Sequence, residues 1–269
     1  MSDILKAPIM AELIRTCSNM YSLGWNERNG GNISIIVDEE EISRCPDIKT
    51  PLGDFDLNCE VPTLGGKVFA VTRTGSYFKN VEINPEYNLG IIKISEDGKR
   101  GSLLWGFSDG GKPTSELPTH LRCHAVRLGK DKNHRVVTHC HATNTLAMTF
   151  VHELDDKSFT HSLWQMITEC IIVFPDGVGV LPWMICGNDE IGRATAKKME
   201  DYRICIWGQH GIFATGNNLD EAFGLIETVE KAAEIYIKIM NRPILNTIQD
   251  HELKSVAETF GLPYRKDFL

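Results

Sequence analysis

The stretch "NLGIIKISEDGKRGSLLWGF", residues 88–107, limits the possible folds most sharply, because an isoleucine-rich run and an apolar Leu/Trp/Phe run flank a polar turn containing Gly98. That pattern specifies an antiparallel hairpin and therefore a sheet. "GGNISIIV" and "KVFAVT" read as two more strands, separated by a polar, proline-containing loop from about residue 38 to 67. "RVVTH", "IIVF" and the two apolar runs of "RICIWGQHGIFATG" complete the set of strand candidates. Helical spacing appears after Pro8, where Ile9, Leu13, Thr16, Cys17 and Met20 share a face before Gly24. It returns in "LPTHLRCHAVRL", in "NDEIGRATAKKME" and in "NLDEAFGLIETVEKAAEIYIKIM", where Phe223, Ile226, Val229, Ala233, Ile237 and Met240 form a core-facing stripe. Adjacent strands joined by hairpins, with helices enough to cover both faces, predict an α/β fold: a three-layer α/β/α sandwich around a largely antiparallel sheet.

At 269 residues and 42% hydrophobic content the chain can bury a full core, so one main domain with room for a smaller subdomain is expected. A net charge of −8 argues against nucleic-acid and anionic-membrane partners, since both demand basic patches. A small anion is still compatible, because a few local donors suffice to hold one. The eight cysteines are scattered without a CxxC pair, which suits reduced thiols better than a disulfide framework or a cysteine zinc site. "CIIVFPDGVGVLPWMIC" is too broken by proline and glycine to span a bilayer, and the N-terminal stretch lacks a signal-peptide layout. The expectation is a soluble, cytoplasmic protein.

Chemistry concentrates first in "VVTHCHAT", residues 136–143. In an extended segment His139 and His141 project from one face and Cys140 from the other, a spacing that suits metal ligation. About 0.3 such pairs are expected by chance from this composition, so the pair alone decides nothing. His210 in "IWGQHGIFATG" is the candidate third ligand, with Gly211 permitting close backbone approach. Three neutral imidazoles suit Zn²⁺ and leave a fourth position open, as in catalytic sites. A core histidine bonded to backbone is the competing reading of His210. His120 and His124, one helical turn apart, read as solvated or packed rather than ligating.

Three loops, "NERNGGN" (26–32), "TRTGS" (72–76) and "PTSEL" (113–117), could surround a phosphate with backbone N–H groups and the side chains of Asn29, Asn32, Thr74, Thr114 and Ser115. Singly, each is an ordinary turn. No Walker A or dinucleotide fingerprint occurs. Glu116 reads either as a helix N-terminal charge or, beside a metal, as a general acid or base.

Taken in order and at their separations, "GWNERNGGN", "VTRTGSYFKN", "PTSELPTH", "HCHATN" and "QHGIFATG" resemble the class II aldolase/adducin family over nearly the whole chain. The resemblance implies the α/β/α fold as a single domain over residues 1–269, with a mobile N-terminal subdomain to about residue 85. It implies a fourfold homotetramer, with one Zn²⁺ per subunit held by His139, His141 and His210, and reversible retro-aldol cleavage of a sugar phosphate to dihydroxyacetone phosphate and an aldehyde. Glu116 falls on the family's catalytic carboxylate. Asn29, Gly31, Asn32, Thr74, Gly75, Thr114 and Ser115 fall on loops that hold the substrate phosphate and neighbouring hydroxyls, and Glu169 on a carboxylate that some members place across the subunit interface. Arg73 and Thr74 depart from the glycine and serine of close relatives. The family also holds sugar-phosphate epimerases with related chemistry and adducin-like interaction modules. Retention of the three histidines and Glu116 argues against the modules.

Overall fold

The computed structural model describes residues 4–45, 48 and 50–269. Its first half runs α1 (Pro8–Ser22), β1 (Asn32–Val37), α2 (Glu39–Ser43), β2 (Gly53–Asp56), β3 (Val68–Thr72), α3 (Pro85–Asn88), β4 (Leu89–Ile94), β5 (Arg100–Gly106) and α4 (Leu117–Lys130). The second half runs β6 (Val136–Cys140), α5 (Thr143–Val151), α6 (Asp156–Trp164), α7 (Glu169–Val173), β7 (Gly179–Leu181), α8 (Asp189–Lys198), β8 (Ile204–Trp207), β9 (Gly211–Gly216), α9 (Leu219–Ile239) and α10 (Asp250–Thr259).

Among the described residues nine strands form one sheet in the order β2-β5-β4-β3-β1-β6-β9-β8-β7. Every neighbouring pair is antiparallel except β7 with β8, which α8 connects as a crossover. The predicted β4–β5 hairpin is present, closed by the turn in which the Gly98 N–H donates to Ser95 O at 2.8 Å.

β1, β3, β6, β8 and β9 are buried along their whole length, which requires cover on both faces. On one face Ile33, Ile35, Val136, Cys140, Ile212 and Ala214 pack with α1 and α9 residues such as Leu13, Met20, Ile226 and Val229. Burying an Ile226 or a Val229 stabilises the fold by roughly 1.5–3 kcal/mol. On the other face Val137, Cys205, Trp207 and Phe213 pack with Cys123 of α4 and Ile191 of α8. Cys140 therefore faces away from His139 and packs, as the alternation requires. None of the eight cysteines is in a disulfide, and only Cys186 is exposed. No helix among the described residues is long and apolar enough to cross a membrane.

Three local expectations are corrected. "IIVF" is not a strand, because its first three residues close helix α7, which turns Cys170, Ile171 and Phe174 into the α1/α9 layer before Gly177 redirects the chain into β7. Burial of a helical face here outweighs the β-propensity of a short apolar run. The 38–67 segment is not merely loop, since it contains α2 and the edge strand β2, which pairs with β5. Pro46, Asp47 and Lys49 of that segment, and residues 1–3, lie outside the described residues. Finally, His210 lies in the turn between β8 and β9 rather than on a strand.

Candidate metal centre

Strand register brings the first elements of the site together. Asn32 of β1 is the cross-strand partner of His139 on β6, and His139 in turn opposes Phe213 of β9. The His139 ring stacks on Phe213 at 4.3 Å with 15° between planes, and its Nδ1–H donates to Ile212 O at 3.1 Å. His141 follows directly after β6, its N–H held by Trp25 O at 2.9 Å and its Nδ1 lying 2.7 Å from Glu27 Oε1. The β8–β9 turn supplies His210, where Gln209 adopts a φ of 54° and its side-chain amide donates to Thr149 O at 2.7 Å.

Close approach of these segments depends on two glycines. A Cβ on Gly211 would stand 2.4 Å from Cys140 O and 2.9 Å from His139 Cε1, and one on Gly31 (φ 76°) would stand 2.7 Å from His139 O. Glu230 of α9 fastens the segment from behind. Its carboxylate accepts four hydrogen bonds of 2.8–2.9 Å from the backbone and side chains of Asn144 and Thr145, at the N-terminus of α5 two residues past His141.

The three imidazoles form a nearly equilateral triangle, with centroid separations of 5.3, 5.1 and 5.2 Å. One ligand atom from each lies within 4.8 Å of the others. His139 Nε2 is buried and has no hydrogen-bond partner, an arrangement that costs free energy unless something binds it. With the Nδ1 atoms of His139 and His141 both engaged, their Nε2 atoms are left for a metal. Burial, reinforced by the neighbouring rings, holds His139 far below the usual imidazole range, and burial chiefly pushes His210 down to about 4. Neutral imidazoles are what a divalent ion requires, so the residues fit one.

Glu116 occupies the N-cap position of α4 without a side-chain cap bond, and is 7% exposed. One oxygen accepts from Asn32 Nδ2 at 2.9 Å and lies 3.7 Å from His139 Nε2, beside the triangle. Burial pushes its carboxyl pKa up, while the Asn32 hydrogen bond and His141 act against the shift. Cys186, which the sequence did not single out, also reaches this point: its Sγ, a Glu116 oxygen and a His210 nitrogen lie within 4.8 Å of one another.

The 72–76 and 113–117 loops meet. The Thr74 N–H donates to Lys112 O at 3.0 Å and the Thr114 N–H to Thr72 O at 2.9 Å, so Thr74, Thr114 and Ser115 line one cleft of about 630 Å³. Lys112 lines it too, adding an ammonium group to those donors. Gly75 (φ 71°) makes the turn between Thr74 and Ser76. Arg73 points along the loops: its guanidinium pairs with Asp109 at 2.7 Å and lies 4.0 Å over the Tyr87 ring. Gly31 and Asn32 stand at the triangle, whereas Asn29 is exposed in the preceding loop. Glu169, exposed at the start of α7, makes no hydrogen bond or ion pair with these residues within the chain.

His120 and His124 are packed, as expected of the pair, and both are fully buried on the α4 face that covers β1. Burial drives His120 down to about 3, His134 also to about 3, and His124 well below its usual range. An unfolded histidine titrates near pH 6.5, so below that pH the unfolded chain takes up protons that the native rings refuse. Stability from these three groups is complete above about pH 6.5 and falls as pH drops towards about 3, by up to about 1.4 kcal/mol per pH unit for each ring. The urea midpoint of the metal-free protein should therefore decline from pH 7.5 to pH 5. A constant midpoint would contradict neutral burial.

The chain belongs to the class II aldolase and adducin family: the profile described as "Class II Aldolase and Adducin N-terminal domain" matches residues 11–237. It is 50% identical over 268 residues to a rhamnulose-1-phosphate aldolase of Listeria monocytogenes, covering 99% of this chain and 98% of that one. Identity to a rhamnulose-1-phosphate aldolase of Enterococcus faecalis is 48%, over 99% of this chain and 96% of that one. Among solved structures, a sugar-phosphate aldolase from Thermotoga maritima is similar at a TM-score of 0.73 and 27% identity, over 87% of this chain and 97% of the other. An L-fuculose 1-phosphate aldolase shares the fold at a TM-score of 0.60 and 22% identity, over 94% and 96% of the two chains.

Proposed function

We propose that the chain is a class II rhamnulose-1-phosphate aldolase, a carbon–carbon lyase that reversibly cleaves L-rhamnulose 1-phosphate to dihydroxyacetone phosphate and L-lactaldehyde in L-rhamnose catabolism. The observation that carries this is a triangle of three imidazoles with Glu116 beside it, in a chain half identical over its length to curated enzymes of that name. His139, His141 and His210 would hold one Zn²⁺ per subunit. Bound there, the ion would supply Lewis-acid stabilisation of charge developing on the substrate's C2 and C3 oxygens.

The remaining work falls to side chains of the protein. In the condensation direction Glu116 would remove a proton from C3 of dihydroxyacetone phosphate, C3 would bond to the aldehyde carbon and the resulting C4 oxygen would take a proton from water. In cleavage the C4 hydroxyl would lose its proton to water as the C3–C4 bond breaks to the aldehyde, and Glu116 would then protonate C3. A carboxyl whose pKa is raised by burial suits both roles, because burial makes it a stronger base than an exposed carboxylate while the Asn32 hydrogen bond keeps it in place. Thr74, Gly75, Thr114 and Ser115 would hold the phosphate in their cleft, with Asn29, Gly31 and Asn32 on neighbouring oxygens. Phosphate binding would thereby fix the reacting carbons against Glu116. Glu169, remote within one chain, would act from the neighbouring subunit of a homotetramer, and the enzyme would work in the cytoplasm.

The purified protein should release dihydroxyacetone phosphate from L-rhamnulose 1-phosphate far faster than from L-fuculose 1-phosphate, measured by coupled reduction of the triose. Equal rates, or epimerisation without cleavage, would move the assignment elsewhere in the family.

A further inference from the structure

A continuous hydrogen-bonded chain runs from the far end of α4 to Glu116. His134 Nε2 lies 2.8 Å from His124 Nδ1, and His124 Nε2 lies 2.8 Å from Ser34 Oγ. Ser34 Oγ lies 2.7 Å from His120 Nδ1, His120 Nε2 bonds Asn32 Oδ1, and Asn32 Nδ2 reaches Glu116 Oε2 at 2.9 Å. Asn32 and Ser34 alternate on β1 towards the helix, while His120 and His124 are one turn apart on α4, so the two periodicities mesh. All six side chains are at least nine-tenths buried.

The direction of every bond follows from the Glu116 end. A carboxylate oxygen only accepts, so the Asn32 NH₂ faces it and the Asn32 carbonyl turns to His120. His120 must then carry its proton on Nε2 and accept at Nδ1 from the Ser34 hydroxyl. Ser34, having donated, accepts from His124 Nε2–H, and His124 Nδ1 accepts from His134 Nε2–H. A neutral imidazole has one donor and one acceptor, so reversing any single link would set lone pair against lone pair or proton against proton. The depressed pKa values of the three rings agree with this neutral pattern. An amide does not pass a proton on while it remains an amide, so the chain orients and does not conduct.

We propose that His120, Ser34, His124 and His134 are positioning residues that lock the Asn32 amide with its NH₂ on Glu116, holding that carboxylate beside the three-histidine site in the orientation needed to exchange a proton with substrate. With the chain broken, Asn32 is free to rotate its carbonyl towards Glu116, where two acceptors repel and the carboxylate is displaced. The inference rests on the proposed role of Glu116, and its test is chosen to separate the two.

Neutron diffraction from the unaltered, metal-loaded enzyme reads the pattern directly. Deuterium on Nε2 alone of His120, His124 and His134, with the Asn32 ND₂ group on Glu116, is expected. Deuterium on Nδ1 of His120, or the Asn32 carbonyl on Glu116, overturns the proposal whatever the kinetics. In solution, His120→Leu should lower kcat by about 10–100-fold with KM little changed and metal content intact, as loss of supporting hydrogen bonds does elsewhere. His120→Gln, which offers an amide N–H near the position of Nε2, should recover most of that loss. A folded His120→Leu protein with undiminished kcat, or equal impairment of both variants, overturns the positioning role. A Glu116→Gln enzyme of normal rate would instead overturn the reading of Glu116 and leave the deuterium pattern to stand by itself.

Discussion

Glu116→Ala should lower kcat by about 100- to 10,000-fold, the range typical of removing a general acid–base group. Its metal should stay bound, because Glu116 is not one of the three imidazoles and its oxygen stands 3.7 Å from His139 Nε2. The fold should also survive. Deleting a buried carboxyl that has a single side-chain partner, Asn32, removes a desolvated group whose burial already disfavours its charge. Steady-state cleavage assays with metal analysis on the same preparation separate the outcomes. Near-normal turnover with full metal would take Glu116 out of the reaction, whereas lost metal would make it a ligand.

His210→Ala should have an effect of comparable size by a different route, loss of the metal, and His210 is the best of the three ligands to remove. His139 is buried, stacked on Phe213 and bonded to Ile212, so replacing it endangers the core. His210 lies in a partly exposed turn whose shape is held by Gln209 on Thr149, so alanine should be accommodated. With two imidazoles left the site should lose most of its metal, and the several kcal/mol that a Lewis acid contributes would go with it. At about 1.4 kcal/mol per factor of ten this predicts at least a roughly 1,000-fold fall in kcat/KM. A variant that keeps both metal and rate would show that the triangle is not the metal centre.

How much of this the sequence could disclose depended on the range of the interactions. The β4–β5 hairpin, α1, α4 and α9 follow from local patterns, and so does the opposite facing of His139 and Cys140, since alternation along a strand is a local rule. Gly211 was legible as a point of close approach. "IIVF" was misread because a short apolar run carries no period of its own, and burial against α1 and α9 settled it as part of a helix. The role of Glu116 could not be separated from that of a helix cap by its neighbours alone; it entered through the family resemblance, and the structure adds its proximity to His139. Glu27 on His141, Lys112 in the loop cleft and Cys186 beside His210 had no local signature. The His120–His124 pair shows the limit best: its spacing announced a helix face, but the partners that give it meaning, Ser34 and Asn32, lie 86 and 88 residues from His120 in sequence.

Stepwise return of zinc to the metal-free enzyme tests the central claim most directly. Complete chelation should abolish cleavage of L-rhamnulose 1-phosphate, and activity should return linearly until one zinc is bound per chain, then level off. Undiminished cleavage by protein verified to be free of metal, or a lysine adduct with dihydroxyacetone phosphate trapped by borohydride, would contradict it.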